Sequence, residues 1–205
     1  MITIVDYGLG NIKAFINVYG KLHIPVTAAS NCRELEKATK VILPGVGSFD
    51  NAMTRLERSG MKDLLSEMVL TRNIPALGIC VGMQMLASSS EEGALPGLGW
   101  IEGEVKRFET DRQGCAVSVP HMGWNNVRPL EPKDIFKGFD QNARFYFLHS
   151  YYFQSRNKDA VIATTDYKGE FACAVGSGKI YGVQFHPEKS HRWGIQLLDN
   201  FARVV

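Results

Sequence analysis

The chain has 205 residues, 45% of them hydrophobic and 21% charged, with a net charge of +2; this is an ordinary globular balance that gives no basic surface for nucleic acid and no membrane-seeking patch. A chain of this length buries about 70% of the surface its unfolded form exposes, so one core suffices without a metal or disulfide staple. Its four cysteines, Cys32, Cys80, Cys115 and Cys173, form no CxxC pair, which excludes a zinc knuckle or disulfide framework and leaves reduced, cytoplasmic thiols as the expectation.

The first half alternates strand and helix. Ile2–Val5 reads as a buried strand, and a helix follows from Asn11 to about Leu22 with Ile12, Phe15, Ile16 and Tyr19 on one face. Pro25 opens a second strand, and Asn31 with Glu34 three residues on marks a helix start. Val41–Leu43 is a third strand running into Pro44-Gly45-Val46-Gly47, and helical pattern returns between Phe49 and Arg72. Ala76–Ile79 is a fourth strand ending at Cys80, with a helix from Gly82 to Ala87. Alternation of this kind implies a parallel sheet covered on both faces. From Trp100 to about Val127, short apolar runs broken by Gly, Pro, Asp and Asn read as hairpins. Phe145–Leu148, Val161–Thr165, Phe171–Val175 and Ile180–Phe185 are further strands, and a helix closes the chain from about His191 to Val204. No linker or repeat divides residues 1–205, so a single α/β domain is expected. Met1 to Asp6 lacks the basic flank of a leader. The apolar run from Ile74 to Ala87 is too short to span a bilayer.

Gly78-Ile79-Cys80-Val81-Gly82 has the G-x-nucleophile-x-G form of a nucleophile elbow, with sulfur in place of serine oxygen. A strand delivers the residue to a tight turn, and glycines let the backbone turn without Cβ clashes. A helix N-terminus can lower a cysteine pKa to about 3.5–7.5, and the Val81 N–H is an oxyanion donor candidate. Against this stands the commoner fate of a free cysteine, a small buried hydrophobe. Cys32, Cys115 and Cys173 lack such surroundings.

His186 follows the strand Tyr181-Gly182-Val183-Gln184-Phe185 and precedes Pro187-Glu188. A carboxylate two residues on can hold the imidazole in one tautomer, which is the base-plus-orienter logic of a triad. The alternatives are a structural histidine or a metal set of His186, Glu188 and His191, which matches no recognised zinc spacing. His23, near a helix end, reads as structural. Pro44-Gly45-Val46-Gly47 is a simple turn unless paired with Cys80; in that pairing its backbone N–H groups at Val46 and Gly47 face a developing oxyanion. Gly8-Leu9-Gly10 fails the dinucleotide fingerprint, because Lys13 stands where the third glycine belongs.

Taken together, Pro44-Gly45-Val46-Gly47, then Gly78-Ile79-Cys80-Val81-Gly82-Met83-Gln84, then Gln184-Phe185-His186-Pro187-Glu188 resemble the class I glutamine amidotransferases along nearly the whole chain. The resemblance implies a flavodoxin-like open sheet with helices on both faces, Cys80 as nucleophile, His186 as acid/base and Glu188 as its orienter, with no cofactor and no metal. Within that family the chain is most similar to glutaminase subunits of imidazole glycerol phosphate synthases. That likeness rests on Asp6-Tyr7-Gly8-Leu9-Gly10-Asn11, Pro120-His121-Met122-Gly123-Trp124-Asn125, His149-Ser150-Tyr151-Tyr152 and His186-Pro187-Glu188-Lys189-Ser190. It implies that Gly47, Gln84, Ser150 and Tyr151 hold the substrate glutamine. It also implies that Asn11, Trp124, Tyr146 and Lys189 face a partner, a (β/α)8-barrel cyclase subunit that receives the ammonia in histidine biosynthesis. His191-Arg192-Trp193-Gly194 departs from that pattern and resembles paralogous subunits that feed enzymes making surface sugars. A cysteine hydrolase or a non-catalytic binding subunit on the same fold are the readings from other classes.

Overall fold

The computed structural model describes residues 1–108, 119–131, 134–203 and 205. In chain order the elements are β1 (Ile2–Val5), α1 (Ile12–Lys21), β2 (Val26–Ala29), α2 (Cys32–Leu35), β3 (Lys40–Gly45), α3 (Phe49–Arg58), α4 (Lys62–Ser66), β4 (Ala76–Cys80) and α5 (Val81–Gln84). There follow β5 (Ser89–Ser90), β6 (Gly103–Arg107), β7 (His121–Asn126), β8 (Arg128–Pro129), β9 (Arg144–His149) and β10 (Tyr151–Ser155). The last are β11 (Val161–Asp166), β12 (Glu170–Ser177), β13 (Ile180–Val183) and α6 (His191–Arg203).

The main sheet runs β2-β1-β3-β4-β13-β12-β11-β8. Its first five strands are parallel, in the flavodoxin-like order in which β13 takes the fifth place. The remaining three add antiparallel. Side chains alternate between the faces of a strand, so the complete burial of Ile2–Val5 and Ala76–Cys80 means that both faces are covered. On one side α1 packs on α6, joined by the Tyr19 hydroxyl donating to the Leu198 carbonyl at 3.2 Å. The Lys40 ammonium donates to the α6 carbonyls of Phe201 and Ala202 and to that of Val205 beyond the helix, a cation where the helix dipole favours one. Asn31 caps α2 as its sequence requires, accepting from the Glu34 N–H, while the Glu34 carboxylate reaches back to the Ser30 N–H.

Several expectations need correction. The helical stretch from Phe49 to Arg72 is broken after Arg58, because Gly60 takes a left-handed turn (φ +71°), and its last turn is a π-turn over Glu67–Thr71. The helix after Cys80 starts one residue early, at Val81, and is a single turn. Among the described residues, the strands between Trp100 and Val127 do not pair with each other as the hairpins read there require: β6 pairs with β10 and β5, while β7 pairs with β9. Turn residues mark where strands end, but which strand lies alongside is decided by later segments. The strand expected to reach Phe185 ends at Val183, since the His186 N–H leaves the sheet to bond the Tyr146 carbonyl at 2.9 Å. Tyr151–Ser155, read only as a motif, is a strand.

Candidate functional site

Ligands of open α/β sheets bind beyond the carboxyl ends of the parallel strands. Three of the sequence candidates meet there: β3 ends at Gly45 ahead of Val46 and Gly47, β4 ends at Cys80, and β13 leads into His186. Gly45 and Cys80 are register partners. Cys80 has φ 55° and ψ −114°, a positive φ that a side chain adopts only when its surroundings impose it. The surroundings do so at Gly82, where a Cβ would lie 1.9 Å from the Leu43 carbonyl oxygen, and at Gly78, where it would lie 2.5 Å from the Gly82 oxygen. Strand, elbow and helix therefore touch backbone to backbone. As the first residue of α5, Val81 has an N–H with no acceptor inside the helix.

The Cys80 side chain is 3% exposed, and its thiol lies 3.8 Å from the Leu148 carbonyl. It is also among the groups that act on the His186 imidazole. On its other side, His186 holds Glu188 through Nδ1 and Oε1 at 2.9 Å, both side chains being buried. Burial alone would push the His186 pKa down, but the influence of Cys80 and then of the bonded Glu188 carboxylate outweighs it and raises it to about 10. The turn carrying His186 is pinned by Ser190, whose hydroxyl donates to the His186 carbonyl at 2.6 Å and accepts from the Tyr146 N–H at 3.0 Å. A thiol and an imidazole thus line one cavity, and the imidazole is held from behind by a buried carboxylate.

The sulfur opens into a cavity of about 330 Å³ whose lining includes Val46, Gly47, Cys80, Gln84, Ser150, Tyr151 and His186. Every sequence candidate for the oxyanion loop and the substrate contacts lines this one cavity, Val81 among them. Gln84 has its amide nitrogen engaged by the Tyr151 carbonyl and by Gln184 Oε1, each at 3.1 Å, so only its amide oxygen is left for a ligand. Gly47 has φ +87°, a conformation that favours glycine.

Two polar residues of the site have no role in the sequence reading. Glu92 lines the cavity and accepts from the Phe49 N–H, first residue of α3, at 2.8 Å; burial raises its pKa, that bond lowering it in part. Gln184 is fully buried and directs its amide nitrogen at the Cys80 sulfur, 3.8 Å away. Glu92 lies in a stretch with no recognisable motif; Gln184 opens the Gln184-Phe185-His186-Pro187-Glu188 motif, but its contact with Cys80 arises only because β13 lies beside β4.

Of the four candidates for a partner face, three come together. Trp124 and Tyr146 are opposite each other across β7 and β9 in edge contact at 6.3 Å, and the Lys189 ammonium sits over the Tyr146 ring at 5.7 Å. His191, part of the departing tetrapeptide, joins them by stacking on Trp124 at 5.2 Å. Trp124 is 41% exposed and its neighbour Met122 64%. Asn11 instead caps α1, accepting from the Ala14 N–H at 3.2 Å.

The remaining candidates are structural. Gly10 (φ +92°) packs on Pro44 and Gly8 takes an Asp6 turn, which accounts for both glycines without a nucleotide. His23, at φ 55°, ends α1 in a Schellman motif with Ile24 N–H on the Tyr19 carbonyl. Cys173 is buried and its thiol pKa is pushed far up by burial; Cys32 is exposed; Cys115 lies outside the described residues. Among the described residues no three His, Cys, Asp or Glu side chains converge on a metal position, and no helix is long and apolar enough to cross a membrane.

The model of the glutamine amidotransferase class-I family matches residues 3–205. The imidazole glycerol phosphate synthase subunit HisH of Bdellovibrio bacteriovorus is 55% identical over 204 residues, covering all of both chains. That of Leptospira interrogans is 51% identical, again over the whole of both. The HisH 2 subunit of Pseudomonas aeruginosa is 44% identical over 207 residues and likewise fully covered. In structure, the chain resembles PurLQS from Thermotoga maritima (TM-score 0.75, 16% identity, 98% of this chain and 96% of that one). It also resembles a glutamine amidotransferase (TM-score 0.70, 20% identity, 97% and 98%).

Proposed function

This chain belongs to the class-I glutamine amidotransferase family as a glutaminase subunit of the imidazole glycerol phosphate synthase type, and we propose that Cys80, His186 and Glu188 carry its chemistry. The observation that supports this most is one arrangement: a cysteine in a strained elbow and a histidine bonded to a buried carboxylate, the cysteine and the histidine lining one cavity.

The Cys80 thiolate attacks the side-chain amide carbon of glutamine. The N–H groups of Val46, Gly47 and Val81 face the oxyanion that forms, each such donor contributing about 2.7–4 kcal/mol. The His186 imidazolium protonates the departing nitrogen, which leaves as ammonia and a γ-glutamyl thioester on Cys80. Water, deprotonated by His186, then releases glutamate. Glu92 is the cavity carboxylate suited to the α-ammonium group of glutamine. The Gln84 oxygen, Ser150 and Tyr151 hold the remaining polar atoms of the substrate.

Ammonia reacts only while unprotonated, so a sheltered route to a second active site is chemically required. We place its exit at the face carrying Met122, Trp124, Tyr146 and Lys189, against a (β/α)8-barrel cyclase subunit, in a cytoplasmic heterodimer. Residues 1–205 form one amidotransferase domain in this reading. The test is glutamate release by the chain mixed with the cyclase subunit, with and without the nucleotide acceptor, Cys80→Ala being the blank. Stimulation by subunit and acceptor together is expected. Cys80 that reacts with a glutamine analogue while the cyclase stimulates nothing would refute the partner and redirect the ammonia to another acceptor, such as a surface-sugar enzyme.

A further inference from the structure

Two buried histidines, His121 and His149, and the half-buried Asn125 form a second set of polar groups that the reaction steps above do not use. His149 Nδ1 lies 2.8 Å from the Tyr151 carbonyl, His149 Nε2 lies 2.9 Å from His121 Nδ1, and His121 Nε2 lies 3.2 Å from the Asn125 amide nitrogen. The same nitrogen donates to the Asp166 carbonyl at 2.7 Å. One end of this chain fixes all the others. A carbonyl only accepts, so His149 carries its proton on Nδ1 and accepts at Nε2. His121 must then donate from Nδ1 and accept at Nε2, where Asn125 supplies its second N–H. Both rings are neutral in this pattern, and burial, which lowers the pKa of His121 to about 4 and is the largest influence lowering that of His149 to about 3, agrees with it. The His121 ring cannot swing out, being stacked between Phe147 at 4.5 Å and Tyr167 at 4.0 Å.

From the same carbonyl the chain continues to Cys80. The Tyr151 carbonyl takes its second hydrogen bond from Gln84, Gln84 donates onward to Gln184, and Gln184 donates to the Cys80 sulfur. We propose that Asn125, His121 and His149 form a tautomer-locked positioning relay that holds the Tyr151 carbonyl and, through Gln84 and Gln184, sets the orientation of the Cys80 sulfur for attack. His121 and Asn125 are positioning residues: neither lines the cavity. The proposal rests on the glutaminase reading only for its kinetic readout.

The experiment uses the full chain with its cyclase subunit. Nitrogen-15 histidine labelling reads the tautomers, and His121 and His149 are both expected as neutral rings protonated at Nδ1. Two substitutions then separate hydrogen bonding from packing. His121→Phe keeps a stacked ring and loses the donor; kcat for glutamine hydrolysis is expected to fall about tenfold with KM unchanged, the loss of roughly one hydrogen bond. His121→Asn places an amide nitrogen where Nδ1 stood and is expected to restore most of that rate. Should His121→Phe fail to fold, Asn125→Leu leaves the His121 Nε2 without its donor, and a lower kcat is expected with both rings still protonated at Nδ1, where the Tyr151 carbonyl sets them. Rings protonated at Nε2 in the native protein, an unchanged kcat in the donor-less variants, or His121→Asn as slow as His121→Phe would each overturn the relay. If the native complex hydrolyses no glutamine, the glutaminase reading fails instead, and the relay is judged on the tautomers and on the alkylation rate of Cys80.

Discussion

Gly82→Ala adds one methyl group at the point where β3 and α5 touch. The new Cβ would lie 1.9 Å from the Leu43 carbonyl oxygen and 2.9 Å from its carbon, whereas real Cβ contacts essentially never fall under 3.0 Å. Relief therefore needs about 1.1 Å of movement, and both sides of the contact are backbone. Cys80 sits two residues before Gly82, and the same β3 segment leads into Val46 and Gly47, so the movement separates the sulfur from the loop proposed to stabilise the oxyanion. Overpacking of this kind costs about 1–3 kcal/mol of stability, and a misplacement of about 1 Å costs roughly a hundredfold in rate. The assay is kcat for glutamate release in the cyclase complex, with chemical denaturation run in parallel. Gly20→Ala is the control: nothing lies within 4 Å of its Cβ position in α1, and a gain of about 0.5–1 kcal/mol is expected from the helix. A Gly82→Ala protein that turns over at the native rate would refute the idea that this contact sets the elbow.

Other consequences can be checked separately. Glu188→Gln keeps an acceptor for His186 but removes the charge, and it sets an N–H donor where the buried Glu188 Oε2 has no partner among the described residues; about a tenfold fall in kcat is expected, with the alkaline limb of the Cys80 alkylation profile moving to lower pH. His121 and His149 have folded pKa values of about 4 and 3, below the ordinary 6.5, so the unfolded chain binds more protons as pH falls from 6.5 towards 3 and stability drops across that window; denaturation at pH 7 and pH 4.5 is expected to show a smaller drop in His121→Phe. Trp124→Ala removes the exposed ring stacked on His191, and calorimetric titration is expected to show about a 30-fold weaker complex with the cyclase subunit.

The elbow was legible in sequence because its constraints are local: a strand, glycines forced by close backbone approach, and a helix start within five residues. His186 and Glu188 were legible for the same reason, two residues apart and bonded. The parallel sheet covered on both faces followed from the alternation of the first four strands, and its flavodoxin-like form from the resemblance to the amidotransferase family. What was not legible depends on which segments lie side by side. Gln184 acts on Cys80 only because a strand late in the chain takes the fifth place in the sheet. His121 and His149 meet because β7 pairs with β9 in a register that sets them opposite each other, where the sequence suggested hairpins among nearer segments. Asn11 shows the reverse case, a motif residue whose visible role is the local one of capping α1.

The most direct test of the central claim is mass spectrometry of the cyclase complex quenched with acid during glutamine turnover. A γ-glutamyl group on the peptide containing Cys80, absent from Cys80→Ala, is the predicted result. Turnover with an unmodified Cys80, or with the glutamyl group on Cys32 or Cys173, would contradict it.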